Sequence, residues 1–190
     1  PALPELIKSA KALGYKIKLD TNGTLPLRLS ALVSDSSTRP DFIAMDIKTA
    51  PARYGELLPQ ARPPADTTDA GSPAGAAPAS QAESPTLSPA AAGTAPDYAA
   101  RLAESIKFIT REYAPGDREW RTVLVPPLVQ KADIKAMAAL LPPDASWQFA
   151  SFRADNCLDS SYNSIAPYSD RAAAELVAYA KKLVPGAALR

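Results

Sequence analysis

Two carboxylates stand where a short apolar run gives way to a turn: Asp20 in Leu19-Asp20-Thr21-Asn22-Gly23, and Asp46 in Ile43-Ala44-Met45-Asp46-Ile47-Lys48. In parallel α/β folds the C-terminal ends of strands are where loops present binding and reactive groups. Carboxylates at such ends can hold a cation or a ligand's hydroxyls, and Lys48 or Arg121 can hold a ligand's carboxylate. Arg153, at the end of a later apolar run, is a further cationic candidate.

Composition narrows the chemistry. The sequence of 190 residues contains no histidine and one cysteine, Cys157. That excludes an internal disulfide, a histidine-ligated zinc site, a Ser/His/Asp triad and imidazole acid–base catalysis by this chain. Carboxylates, lysines, arginines, hydroxyls and backbone remain. Basic and acidic residues number 21 and 20, and the basic ones are scattered rather than interleaved with aromatics, so nucleic acid is not the expected partner. No apolar run approaches the roughly 20 residues of a membrane span, and Pro1 to Glu5 lacks the basic and apolar regions of a signal peptide, so a cytoplasmic protein is expected.

The elements that must position these groups follow from periodicity. Leu3, Leu6, Ile7, Ala10 and Leu13 recur at helical spacing and Gly14 can end that helix, which predicts a helix over 4–13. A buried strand over 15–20 follows, then a helix over 26–33 and a second strand over 41–48. This βαβ unit makes the strands parallel and brings both carboxylates to one rim. Helices are predicted over 98–113, 132–141 and 170–183, with Ser169 or Asp170 as the last N-cap, and strands over 120–125 and 146–153. From Pro59 to Pro96 inclusive there are eight prolines and no aromatic residue, a composition that reads as a disordered insertion in a surface loop, dividing the domain into 1–58 and 97–190.

Strand alternation sets Lys16, Lys18 and Asp20 against Tyr15, Ile17 and Leu19, and Ala44, Asp46 and Lys48 against Ile43, Met45 and Ile47. A barrel interior carrying unpaired charge would cost several kcal/mol, so the charged face is either wet, filled by a ligand, or the solvated face of an edge strand.

Two blocks carry a resemblance: Gly14-Tyr15-Lys16-Ile17-Lys18-Leu19-Asp20-Thr21-Asn22-Gly23-Thr24, and Asp41-Phe42-Ile43-Ala44-Met45-Asp46-Ile47-Lys48-Thr49 with Arg53-Tyr54. Together with Trp120-Arg121-Thr122-Val123, Phe152-Arg153 and Pro167-Tyr168-Ser169, the sequence resembles radical SAM activating enzymes of glycyl-radical proteins, such as activases of anaerobic ribonucleotide reductase. The resemblance implies an α/β fold of the incomplete (βα)6 type, a partial TIM barrel whose first strands are missing. It implies S-adenosylmethionine and a 4Fe-4S cluster as cofactors, cleavage to a 5′-deoxyadenosyl radical, a glycyl-radical enzyme as partner, and flavodoxin or ferredoxin as electron donor. Carried over by position, Asp20, Thr21, Asn22, Asp46, Lys48, Arg121 and Arg153 would bind the cofactor. Asp20, Thr21, Asp46 and the backbone at Ala44 would hold a monovalent cation. The family's CxxxCxxC loop and GGEP-like turn do not occur here, so no cluster ligand lies in this chain and the chain alone is expected to be inactive.

Two readings compete: a radical SAM enzyme acting on a small molecule, and a non-catalytic half-barrel that binds a nucleoside or a partner. A Schiff-base aldolase using Lys48 is weaker, because Asp46 favours the charged lysine.

Overall fold

The computed structural model describes residues 2–57, 96–155 and 157–190. The insertion expected over 59–96 lies outside the described residues, apart from Pro96. Five strands, β1 (Lys18–Thr21), β2 (Phe42–Asp46), β3 (Arg118–Leu124), β4 (Trp147–Ser151) and β5 (Ala187–Leu189), alternate with helices. These are α1 (Leu3–Ala12), α2 (Pro26–Ser34), α3 (Tyr98–Glu112), α4 (Lys131–Ala138) and α5 (Asp170–Leu183). No helix among the described residues is long and apolar enough to cross a membrane.

Local chemistry sets the boundaries. Gly14, at a φ of 84°, turns the chain out of α1. Asp97 and Ser169 cap α3 and α5 by accepting from the backbone N–H of Ala100 and Ala172. At the start of α4, the Gln130 N–H donates to the Asp133 carboxylate at 2.9 Å.

All four ladders are parallel and the strands lie in sequence order, β1-β2-β3-β4-β5. With right-handed crossovers this order puts every connecting helix on the same face of the sheet. The core agrees: Ile43, Met45 and Ile47 of the β2 segment, Trp120 and Leu124 of β3, Trp147 and Phe149 of β4, and Ala187 of β5 share one face. They pack with Val33, Leu102, Ile109, Ile134, Met137 and Ala180 from the helices. Inside this layer the Trp147 indole N–H donates to Thr122 Oγ1 at 3.0 Å, and that hydroxyl donates to the Ile47 carbonyl at 2.7 Å, whereas the Trp120 indole N–H has no partner among the described residues.

The opposite face carries Lys18, Asp20, Phe42, Ala44, Asp46, Glu119, Arg121, Val123 and Gln148, and none of these side chains belongs to the core cluster. A parallel sheet ordinarily has both faces covered. Among the described residues one face is apolar and packed, while the other is charged and carries no helix.

The predicted strand over 15–20 is corrected. Pairing begins at Lys18, and Tyr15 is 66% exposed, because among the described residues β1 has a strand neighbour on one side only. The helix over 4–13 forms over 3–12, but of its apolar stripe only Ile7 is buried, and Leu3, Leu6 and Leu13 face solvent. The strand β5 escaped the sequence reading. Its three residues, two of them alanine, carry no periodic signal, and β4 recruits them through main-chain pairing.

Candidate functional site

The bare face gathers charge from three strands. Asp20 on β1 sits beside Ala44 on β2, which in turn sits beside Glu119 on β3, while Asp46 pairs in register with Arg121. The strands β1 and β3 are two spacings apart, about 9.6 Å, a gap a long guanidinium side chain crosses when the residue between is small. Ala44 supplies that small residue. Arg121 accordingly reaches both flanking carboxylates: its Nη2 lies 3.0 Å from Asp20 Oδ2 and its Nε lies 2.9 Å from Asp46 Oδ1. Burial opposes the Arg121 charge, but the hydrogen bond to Asp20 and the charge of Asp46 outweigh it and hold the guanidinium above its ordinary pKa.

The cluster extends at both ends. Lys18 Nζ donates to Glu119 Oε1 at 2.8 Å and stands 4.9 Å from the centre of the Phe42 ring. Glu119 Oε1 is 4.0 Å from Arg121 Nη1, and Lys48 Nζ is 3.4 Å from Asp46 Oδ2. Lys18, Lys48 and Arg121 thus balance Asp20, Asp46 and Glu119. Asp20 and Lys48, 57% and 50% exposed, are the members most open to a ligand.

The rim that carries Lys48 is held firmly. The Lys48 N–H donates to the Tyr54 hydroxyl at 2.9 Å. Burial first, with the Asp46 charge adding to it, pushes the Tyr54 phenol up to about 12, so it stays neutral. Thr49 donates to the Leu128 carbonyl at 2.5 Å. Arg53 grips both oxygens of buried Asp133 at 3.0 and 3.1 Å and the Pro127 carbonyl at 2.8 Å, bolting the turn after β2 to the loop after β3.

Of the residues singled out in the sequence, Asp20, Asp46, Lys48 and Arg121 come together. Thr21 alternates to the helix side of β1, opposite Met45, and its Oγ1 accepts from the Gly23 N–H at 3.2 Å. Asn22 forms an Asx turn, its Oδ1 accepting from the Thr24 N–H and hydroxyl at 3.1 and 2.8 Å. Ala44 is the spacer between Asp20 and Glu119. Arg153 was expected within the fourth strand; β4 ends at Ser151, and Arg153 is exposed with no ion pair among the described residues. Glu119 and Lys18 complete the cluster. The signal for Glu119 was its position two residues from Arg121, which puts both on one face once β3 begins at Arg118 rather than Trp120.

Clefts elsewhere do not coincide with this cluster. One of about 640 Å³ opens beside Tyr113, Arg118 and Asp144, at the N-terminal end of β3, the end that in such folds serves stability. Among the described residues no group of three or more His, Cys, Asp or Glu side chains is disposed to hold a metal ion. Comparison with protein-family models, curated proteins and solved structures finds no match.

Proposed function

We propose that this sheet belongs to a (βα)6 partial barrel of a radical SAM activase, an enzyme that uses S-adenosylmethionine to install a glycyl radical on a partner enzyme. The observation that carries the reading is the bare face of a parallel sheet in sequence order, with Asp20, Asp46, Lys48 and Arg121 assembled toward its C-terminal rim. Sheets of this order, with helices on one side only, fit the wall of a barrel, a fold that binds its ligands at the C-terminal rim of the strands. The unpaired edge of β1 and the exposed Leu3, Leu6 and Leu13 of α1 fit the same reading, since one neighbouring βα unit would cover both.

The 4Fe-4S cluster does not fit this chain, which has one cysteine, Cys157, in the loop after β4. Three thiolates are needed, so these residues cannot hold a cluster by themselves. S-adenosylmethionine fits better. Its carboxylate would meet Lys48, and its ammonium or ribose hydroxyls would meet the open side of Asp20, a zwitterion set against two opposite charges. When bound, it supplies the adenosyl group used for hydrogen abstraction in such enzymes. The residues of this chain bind and orient it: Tyr54 and Arg53 fix the rim, and Arg121 fixes the two aspartates.

Calorimetric titration with S-adenosylmethionine tests the reading. Saturable binding that weakens about tenfold in Lys48→Ala is expected, as for loss of one charge-assisted contact. Absence of binding by protein with intact circular dichroism removes it. Incubation with iron, sulfide and reductant should leave no cluster absorbance on this chain alone. In a protein that also supplies the three cluster thiolates this chain lacks, hydrogen-abstraction assays with a glycyl-radical protein and with small molecules separate the two kinds of target.

A further inference from the structure

Asp20 and Asp46, with Thr21 and the backbone at Ala44, were expected to enclose a monovalent cation. The space between the two carboxylates holds a guanidinium instead, 3.0 Å from Asp20 and 2.9 Å from Asp46. Thr21 is turned to the other face and its hydroxyl is spent on Gly23. A cation ligand set needs oxygens converging on one point, and here two of them converge on Arg121 while the third points away.

We propose that Arg121 is the built-in counter-cation of Asp20 and Asp46, a positioning residue that takes the place of a monovalent ion and does not itself touch a ligand. Three features carry this. Arg121 is anchored on β3 and its side chain is 15% exposed, so its charge stays within the sheet face as a diffusible ion's does not. Two of its nitrogens donate to the aspartates and the third faces Glu119 at 4.0 Å, so no nitrogen is left without a carboxylate beside it. Glu119 is in turn held by Lys18 at 2.8 Å, which fixes the hub from the far side. A ligand's carboxylate approaching Arg121 would compete with three carboxylates already in place. Lys48, half exposed and with one partner at 3.4 Å, meets it without that competition.

The test uses the whole chain without any ligand, so it stands whether or not S-adenosylmethionine binds. Thermal unfolding is followed in sodium, potassium and tetramethylammonium chloride at one ionic strength. The parent protein should melt at the same temperature in all three. Arg121→Met should melt roughly 3 to 6 °C lower and become stabilised by sodium or potassium relative to tetramethylammonium. Adding Asp20→Asn to Arg121→Met should recover part of the loss, and Arg121→Lys, which keeps the charge, should stay insensitive to the salt. A parent protein stabilised by one alkali ion overturns the proposal, because an ion then occupies the site that Arg121 is said to fill. An Arg121→Met protein blind to alkali ions and unaffected by Asp20→Asn overturns it equally. If Arg121→Met does not fold, the parent and Arg121→Lys decide the question by the same criterion.

Discussion

Arg118 and Arg121 stand three residues apart on β3 and point to opposite faces of the sheet. Arg118, 4% exposed, lies on the helix side. It donates to the Thr110 carbonyl at 2.8 Å and to the Tyr113 carbonyl, and grips Asp144 at 2.9 and 2.8 Å. It ties the last turn of α3 to the turn before β4, and its Nε is buried without a partner among the described residues. Among the described residues the Arg121 side chain touches no carbonyl. Its partners are carboxylates contributed by β1 and β2, on a face no helix needs. An arginine that is buried and donates to backbone carbonyls as well as to a carboxylate is satisfying the fold, whereas one held by side-chain carboxylates alone, among the described residues, serves something the fold does not require.

Substitutions can break or sharpen this contrast. Arg118→Met should cost the most, about 3 kcal/mol in urea unfolding, because buried carbonyls lose their donor, while binding per folded molecule stays unchanged. Next comes alkaline pH, which touches both regions. Burial pushes Tyr54, beneath the Lys48 rim, and Tyr113, at the Arg118 end, up to about 12. The unfolded chain releases these protons from about pH 10, so it binds fewer protons than the folded one and stability falls as pH rises from 10 to 12. About 2 kcal/mol per tyrosine is expected, measured as urea midpoints, with Tyr54→Phe removing its share. Arg121→Met should cost less than Arg118→Met, about 1 to 2 kcal/mol, because Asp20 is 57% exposed and regains water. A larger loss than at Arg118 would make Arg121 a structural residue and dissolve the contrast. Lys48→Ala should change stability by under about 0.5 kcal/mol while weakening binding, which isolates ligand contact from scaffold.

Much of the fold was legible because its strands and helices obey their own periods. The run Ile43 to Ile47 and the cap at Ser169 predicted β2 and α5, and the βαβ logic put Asp20 and Asp46 on one side. Short or edge elements were not legible. The strand β5 exists through pairing with β4, and Tyr15 looked like strand because a sequence does not announce which strand lacks a second neighbour. In the site, residue types pointed to Asp20, Asp46, Lys48 and Arg121. Their mutual arrangement depended on register, which let Arg121 cross Ala44 and left Thr21 facing away. Arg153 lies outside the cluster for a related reason: β4 ends two residues earlier than expected and leaves it in a loop.

The sequence-ordered sheet also has a kinetic meaning. Every ladder joins strands that are consecutive in the chain, so β1 with β2, and β3 with β4 and β5, can each assemble over short loops. One closure is long: pairing of β2 with β3 must span residues 58–97 before α3 begins. Closing a loop costs entropy only logarithmically, about 0.6 kcal/mol per doubling of length. The same slow growth explains how a domain tolerates so long an interruption between its two central strands.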